Sequence, residues 1–220
     1  MKEEVIRIDD LGASTHFYER YGRKCFNFWP LYNQRFFGHW GPFPEIEVRT
    51  LENFLLSNTS NKVIIMAITA SWVDGSGKAI PFPDKYPEHA SLIKEFVTDK
   101  KVIIASHGLT HSVDGFHKNK LFGGNRNFHR EFWDWVPFHI QLDHLKRSKD
   151  TLSECFAVDV DIFVPPGNLY SPITVQALEI SGFKKVNASK DHTSESSIEF
   201  LPDEGMLLLH TRDLIFNPRL

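Results

Sequence analysis

The sequence predicts an α/β protein whose sheet is mainly parallel, either open and doubly wound or closed into a barrel. Three observations carry this. Six apolar runs of strand length recur along the 220 residues. Most are continuous rather than alternating, as in strands buried on both faces. Amphipathic helical patterns lie between them, and strands that alternate with helices pair in parallel.

The runs are VIRI (5–8), KVIIMAIT (62–69), KVIIAS (101–106), VDIFV (160–164), KKVNA (184–188) and MLLLH (206–210). The segment YPEHASLIKEFVTDKK reads as a helix with Leu92, Ile93, Phe96 and Val97 on one face. From Phe138 to Phe156, the residues Phe138, Leu142, Leu145, Leu152 and Phe156 form a second stripe. SPITVQALEISGF opens with Ser171 as an N-cap and Pro172 just inside, and closes on Gly182 at the C-cap. Two stretches break the rhythm, 26–44 and 112–137, and both read as long loops of the kind that wall binding sites.

Composition narrows the classes. A chain of 220 residues suits one domain, taken here as 1–220, able to bury a full core without staples. A formal net charge of −3 gives no reason to expect nucleic acid as a partner. The basic cluster KRSK at 146–149 reads as solvated helix surface. Cys25 and Cys155 form no CxxC and read as free thiols in a reducing compartment. The amino terminus MKEEVIRIDD lacks the apolar core of a signal peptide, and no run of membrane-spanning length exists. The expectation is a cytoplasmic protein with no membrane span. Oligomeric state is not legible.

The polar residues at the strand ends are specific. The first strand ends in Asp9 and Asp10, and the third runs into SHGLTHS with His107 and His111. The fourth runs into Pro165, Pro166, Gly167 and Asn168, and the last ends in His210. In parallel strands all these groups emerge at one mouth. Singly, each has a plain reading: surface aspartates, an accidental HxxxH, a turn, a core histidine. Gly108 stands where a zincin needs Glu, which disfavours that mechanism. Together they differ. One carboxylate and two imidazoles make a three-ligand set with open positions, as a hydrolytic Zn²⁺ site requires. The mixed oxygen and nitrogen set also suits Co²⁺, Ni²⁺ or Fe²⁺. A second carboxylate can take a proton from water, and a histidine across the mouth can give one to a leaving amine.

The order strand-Asp-Asp, S-H-x-x-T-H, Pro-Pro-Gly and L-x-x-H, from Asp9 to His210, resembles the polysaccharide deacetylase family (NodB homology, carbohydrate esterase family four). The resemblance implies a distorted (β/α) barrel of about seven parallel strands, with its chemistry at their carboxyl ends. It implies a metal-dependent N-deacetylase with Asp9 as general base, Asp10, His107 and His111 as metal ligands, and His210 as general acid. The chain departs from the pattern in two places. Leu11 intervenes before Gly12, and Phe163 or Val164 stands where the family carries an arginine that orients the base. Arg126, Arg7 and Arg212 are the candidate replacements, and no fourth motif is evident.

The expected reaction removes an N-acetyl group from an amino sugar or glycan precursor, with surface polysaccharide or O-antigen biosynthesis as the preferred setting. A backbone N–H near Gly167 or Asn168 is the expected oxyanion donor. Trp72, Pro166, Gly167, Asn168, Tyr170 and Arg126 are the expected substrate contacts, as stacking, walling or polar groups. The alternatives are hydrolysis of a non-sugar amide or ester, and a non-catalytic carbohydrate-binding relic.

Overall fold

The computed structural model describes residues 4–14, 44–99, 101–113 and 130–216. Its centre is a seven-stranded, wholly parallel sheet. In chain order come β1 (Glu4–Leu11), α1 (Val48–Asn58), β2 (Lys62–Ile68), β3 (Ser71–Val73), β4 (Ala79–Pro81), α2 (Phe82–Lys85) and α3 (Pro87–Thr98). Then follow β5 (Val102–Ser106), α4 (Phe138–Phe156), β6 (Ile162–Phe163), a 3₁₀ turn (Pro166–Asn168) and α5 (Pro172–Ile180). The chain finishes with β7 (Lys185–Ala188), β8 (Glu199–Pro202), β9 (Leu207–His210) and α6 (Thr211–Phe216). The sheet runs β8-β7-β6-β5-β2-β1-β9, and β3 and β4 form a separate antiparallel hairpin. The sheet curls into a distorted (β/α) barrel with helices outside.

Its two faces are chemically different. Ile6, Ile8, Ile64, Met66, Ile68 and Ile104 point outward and pack with Leu51, Leu55, Ile93, Leu145, Leu152 and Leu178 from the helices. Each such side chain removed from water contributes about 1.5–3 kcal/mol. The inner face carries Ile65, Ala67, Ala105, Ile162 and Val164, with Val5 and Met206 against them and, among the described residues, no helix residue. Side chains alternate along a strand, so Arg7 shares the face of Val5 and lies inside the barrel, 1% exposed. In the ladder it lies opposite Ile65 and Leu208.

The six runs read from sequence are strands of this sheet. The seventh strand, β8, was not among them: EFLP is partly exposed at a sheet edge and holds no continuous apolar run. Helix α1 was also not anticipated, although Leu51, Phe54, Leu55 and Asn58 bury one face of it. Helix α4 has the predicted bounds. Helix α5 begins in a capping box, with the Ser171 N–H donating to Thr174 Oγ1 at 3.1 Å. Gly182 follows it at φ +76°, a left-handed conformation that a glycine adopts without strain. Lys146 and Arg147 are exposed, as expected of KRSK, whereas Ser148 is buried. Cys155 is a buried free thiol, and Cys25 lies outside the described residues.

Candidate metal centre

Adjacent residues of a regular strand face opposite sides of a sheet. Asp9 and Asp10 nevertheless both line one cleft. The register of β1 against β2 shifts between Ile8 and Leu11, and Asp10 takes φ +70°. This bulge turns the second carboxylate into the mouth beside the first. Leu11 then resumes pairing opposite Ile68, so the glycine turn comes one residue later. A Cβ on Gly12 would lie 2.8 Å from both the Phe82 ring and the Thr69 carbonyl. The intervening Leu11 thus completes the strand before the turn.

The histidine loop is folded around a buried carboxylate. Glu131 is 0% exposed, and its Oε1 accepts the Leu109 N–H at 2.9 Å and the Thr110 N–H at 3.3 Å. His144 Nδ1 lies 2.5 Å from the same oxygen. Gly108 turns at φ +81°, and a Cβ there would run into the Glu131 carboxylate. His111 sits at φ +65°, a conformation disfavoured for a residue with a Cβ and characteristic of functional sites.

These two loops bring Asp10, His107 and His111 together, with their ligand atoms all within 4.8 Å of one another. Asp10 Oδ1 is 3.3 Å from His107 Nε2 and 3.2 Å from His111 Nε2. Donor atoms sharing a tetrahedral ion at ~2.0–2.2 Å sit roughly 3.3–3.5 Å apart. The His107 Nδ1–H donates to the Val164 carbonyl at 2.8 Å. That bond fixes the ring and turns Nε2 toward Asp10. Positive charge must then lie between Asp10 and the imidazoles, either a proton or a cation. Burial pushes the His111 pKa down to about 4 despite Asp10, so at neutral pH His111 offers a lone pair. Burial opposes ionisation of Asp10, but the adjoining His107 and His111 imidazoles outweigh it and hold its pKa well below the ordinary value. The set therefore fits a divalent metal ion.

The other two predicted residues of the site flank this set. Arg7 grips Asp9 with both ends of its fork, Nε to Oδ1 at 2.9 Å and Nη2 to Oδ2 at 2.8 Å. Arg7 Nη1 also donates to Asn187 Oδ1 at 2.9 Å, and Nη2 reaches Asn168 Oδ1 at 3.4 Å. Of the three candidate arginines, Arg7 is the one seen holding Asp9. Phe163, one of the two positions at which an arginine was expected, is packed edge-on against Phe132 and Phe183. His210 Nε2 lies 4.0 Å from Asp10 Oδ2, while its Nδ1 faces Asp213 Oδ2 at 3.4 Å. Asp213 also accepts the His210 backbone N–H at 2.7 Å. His210 keeps 35% of its side chain exposed, at the rim.

A cleft of about 140 Å³ is lined by Asp9, Asp10, His107, His111, Arg130, Gly167, Asn168 and His210. Other expected contacts lie elsewhere. Trp72 sits on the β3–β4 hairpin with Lys85 Nζ 4.5 Å above its ring, and does not line this cleft. Nor do Pro166 and Tyr170. The Tyr170 hydroxyl donates to the Lys190 carbonyl at 2.6 Å and accepts the His192 N–H at 3.1 Å, which ties two loops. The Asn168 N–H is committed to the Pro165 carbonyl at 2.9 Å, which disfavours it as an oxyanion donor. Arg126 lies outside the described residues.

Four residues around the site were not singled out from sequence: Arg130, Glu131, Asn187 and Asp213. Asn187 and Asp213 did leave a signal. The first is a polar residue inside an apolar strand, and the second stands three residues after His210.

No protein-family model matches the chain, and no curated protein sequence does. Solved structures do. IcaB from Ammonifex degensii superposes with a TM-score of 0.50 at 12% identity, over 99% of this chain and 97% of that one. A Mycobacterium smegmatis protein to which polysaccharide deacetylation is ascribed gives 0.50 at 16% identity, over 90% of this chain and 58% of that one. The deacetylase domain of BpsB from Bordetella bronchiseptica gives 0.49 at 15%, over 94% and 70%. At these identities the likeness is one of fold, which the chain shares with these solved structures. In this fold the first and last strands lie side by side, with Asp9 opposite His210 in the ladder. That adjacency closes the mouth between residues two hundred positions apart. No helix among the described residues is long and apolar enough to cross a membrane.

Proposed function

We propose that residues 1–220 form one catalytic domain, a metal-dependent hydrolase that removes an N-acetyl group from an amino sugar or glycan precursor. Asp10, His107 and His111 would hold the ion. Zn²⁺ suits the mixed donor set best, with Co²⁺, Ni²⁺ and Fe²⁺ as chemical alternatives. When bound, such an ion polarises a carbonyl and lowers the pKa of water toward ~7. The remaining work falls to the chain's own side chains. Asp9, oriented by Arg7, takes a proton from the water that attacks the amide carbon. His210, oriented by Asp213 behind it, gives a proton to the nitrogen as the C–N bond breaks. The products are a free amine and acetate.

One observation carries this reading: Asp9, Asp10, His107, His111 and His210 all line a single cleft. A fold shared with deacetylases agrees with it. The setting in surface polysaccharide or O-antigen precursor synthesis rests on the sequence resemblance.

Two measurements test it together. Purified protein is assayed for bound metal, and N-acetylated nucleotide sugars and oligosaccharides are screened by mass spectrometry for acetate release. The expected result is one equivalent of metal and a free amine on at least one substrate. Asp9→Asn should keep the metal while kcat falls by about 10²- to 10⁴-fold. Equal turnover by wild type and this variant would remove Asp9 from its role.

A further inference from the structure

We propose that Arg130 determines what the cleft accepts, by donating hydrogen bonds to negatively charged oxygen: the oxyanion of the attacked amide, and then the carboxylate product. This rests on the hydrolase reading above and adds a residue to it.

Arg130 is 5% exposed, yet its side chain lines the cleft. Its Nη1 lies 3.5 Å from His111 Nε2, so the guanidinium borders the ligand set. Its placement is over-determined. The backbone bridges Ser112, next to ligand His111, and the following residue is the Glu131 that organises the histidine loop. On the other side the guanidinium packs against Gly167. A Cβ there would stand 2.6 Å from Arg130 Cζ, 2.7 Å from Nη2 and 3.0 Å from Nε. Gly167, at φ +63°, is therefore what lets the guanidinium come this close.

The reaction itself forms an anion for such a donor. As water adds to the amide carbon, the carbonyl π pair moves onto oxygen. When the C–N bond breaks, that oxygen becomes part of a carboxyl group, which ionises to carboxylate. A planar guanidinium fork suits both species. The Asn168 N–H is already committed to Pro165, and Arg130 adds a charged donor in the same cleft.

The test is titration of Zn²⁺-loaded wild type, Arg130→Gln and Arg130→Lys with acetate by calorimetry. Acetamide serves as the neutral probe, and Zn²⁺ affinity is measured separately. Arg130→Gln should weaken acetate roughly 10- to 100-fold, the worth of a charged hydrogen bond. Acetamide affinity should stay within about twofold, and Zn²⁺ should bind as well or better, because a neighbouring cation has gone. Arg130→Lys should fall between. If Arg130→Gln does not fold, Gly167→Ala, which displaces the guanidinium, should weaken acetate in the same direction. Wild-type acetate affinity in these variants, an equal loss of acetamide, or loss of Zn²⁺ with Arg130 would each overturn the proposal alone. A wild type that takes up no Zn²⁺ would instead overturn the hydrolase reading, and this inference with it.

Discussion

Arg7 hydrogen-bonds three side chains, Asp9, Asn187 and Asn168, and faces Asp203 at 4.0 Å, while 1% exposed. A buried ion pair is weak evidence of net stability, but removing one partner leaves a charge in low dielectric. Arg7→Gln should therefore cost about 3–5 kcal/mol in urea unfolding. The double variant Arg7→Gln with Asp9→Asn should be more stable than Arg7→Gln alone, because the stranded carboxylate is gone. If Arg7 positions the base, Arg7→Gln should also lower kcat more than it raises KM. At this scale the sequence was informative where chemistry sat at a strand end. Asp9, Asp10, His107, His111 and His210 were each legible there. Arg130 and Glu131 were not, because the sequence around them carries no periodic signal and their roles depend on contacts remote in sequence. Arg7 was visible as a candidate, since a charge two residues before Asp9 shares its face. Choosing it over Arg212 required the barrel interior.

Two short irregular elements build the site: the bulge in β1 and the turn from His107 to His111. Both hold non-glycine residues at positive φ, Asp10 at +70° and His111 at +65°. Such conformations cost roughly 1–3 kcal/mol each and persist where the surroundings enforce them. For the histidine turn, the enforcing group is the Glu131 carboxylate. Gly108→Ala would place a methyl group against it at φ +81°. The expected outcome is loss of about 1–3 kcal/mol of stability and a metal affinity at least ~10-fold lower, read by denaturation and by metal titration. Strands β2, β5 and β9 were legible because both faces or their flanks are apolar. The edge strand β8 was not, since EFLP has one half-exposed face and a proline. The bulge was not legible either, because an Asp-Asp pair reads identically whether the two carboxylates converge or diverge.

For the molecule as a whole, the parallel order places β1 between β2 and β9 and sets every chemical group at one rim. The site spans loops after β1, β5, β6 and β9, so an ion held there ties together segments from across the chain. Binding confined to the folded state stabilises it by about 2.7 kcal/mol at a free concentration 100 times Kd. Adding Zn²⁺ to chelator-stripped protein should raise Tm, and Asp10→Asn should abolish most of that rise. A Tm indifferent to Zn²⁺ in the wild type would count against an ion at this place. The alternation of apolar runs and helices made this topology legible as α/β, but left open sheet and barrel undivided. The packing of Ile65, Ala67, Ala105 and Val164 with one another, apart from any helix among the described residues, is what distinguishes them.

The acceptor that aims His107 is the main-chain carbonyl of Val164, just past the two-residue strand β6. A backbone atom cannot be replaced by substitution, so the imidazole keeps its tautomer whatever side chain occupies position 164. Its vulnerability lies in the ladder instead: β6 holds its place by pairing with β5 and β7 over two residues each, and a proline inserted there would disturb the ring's aim without touching any ligand.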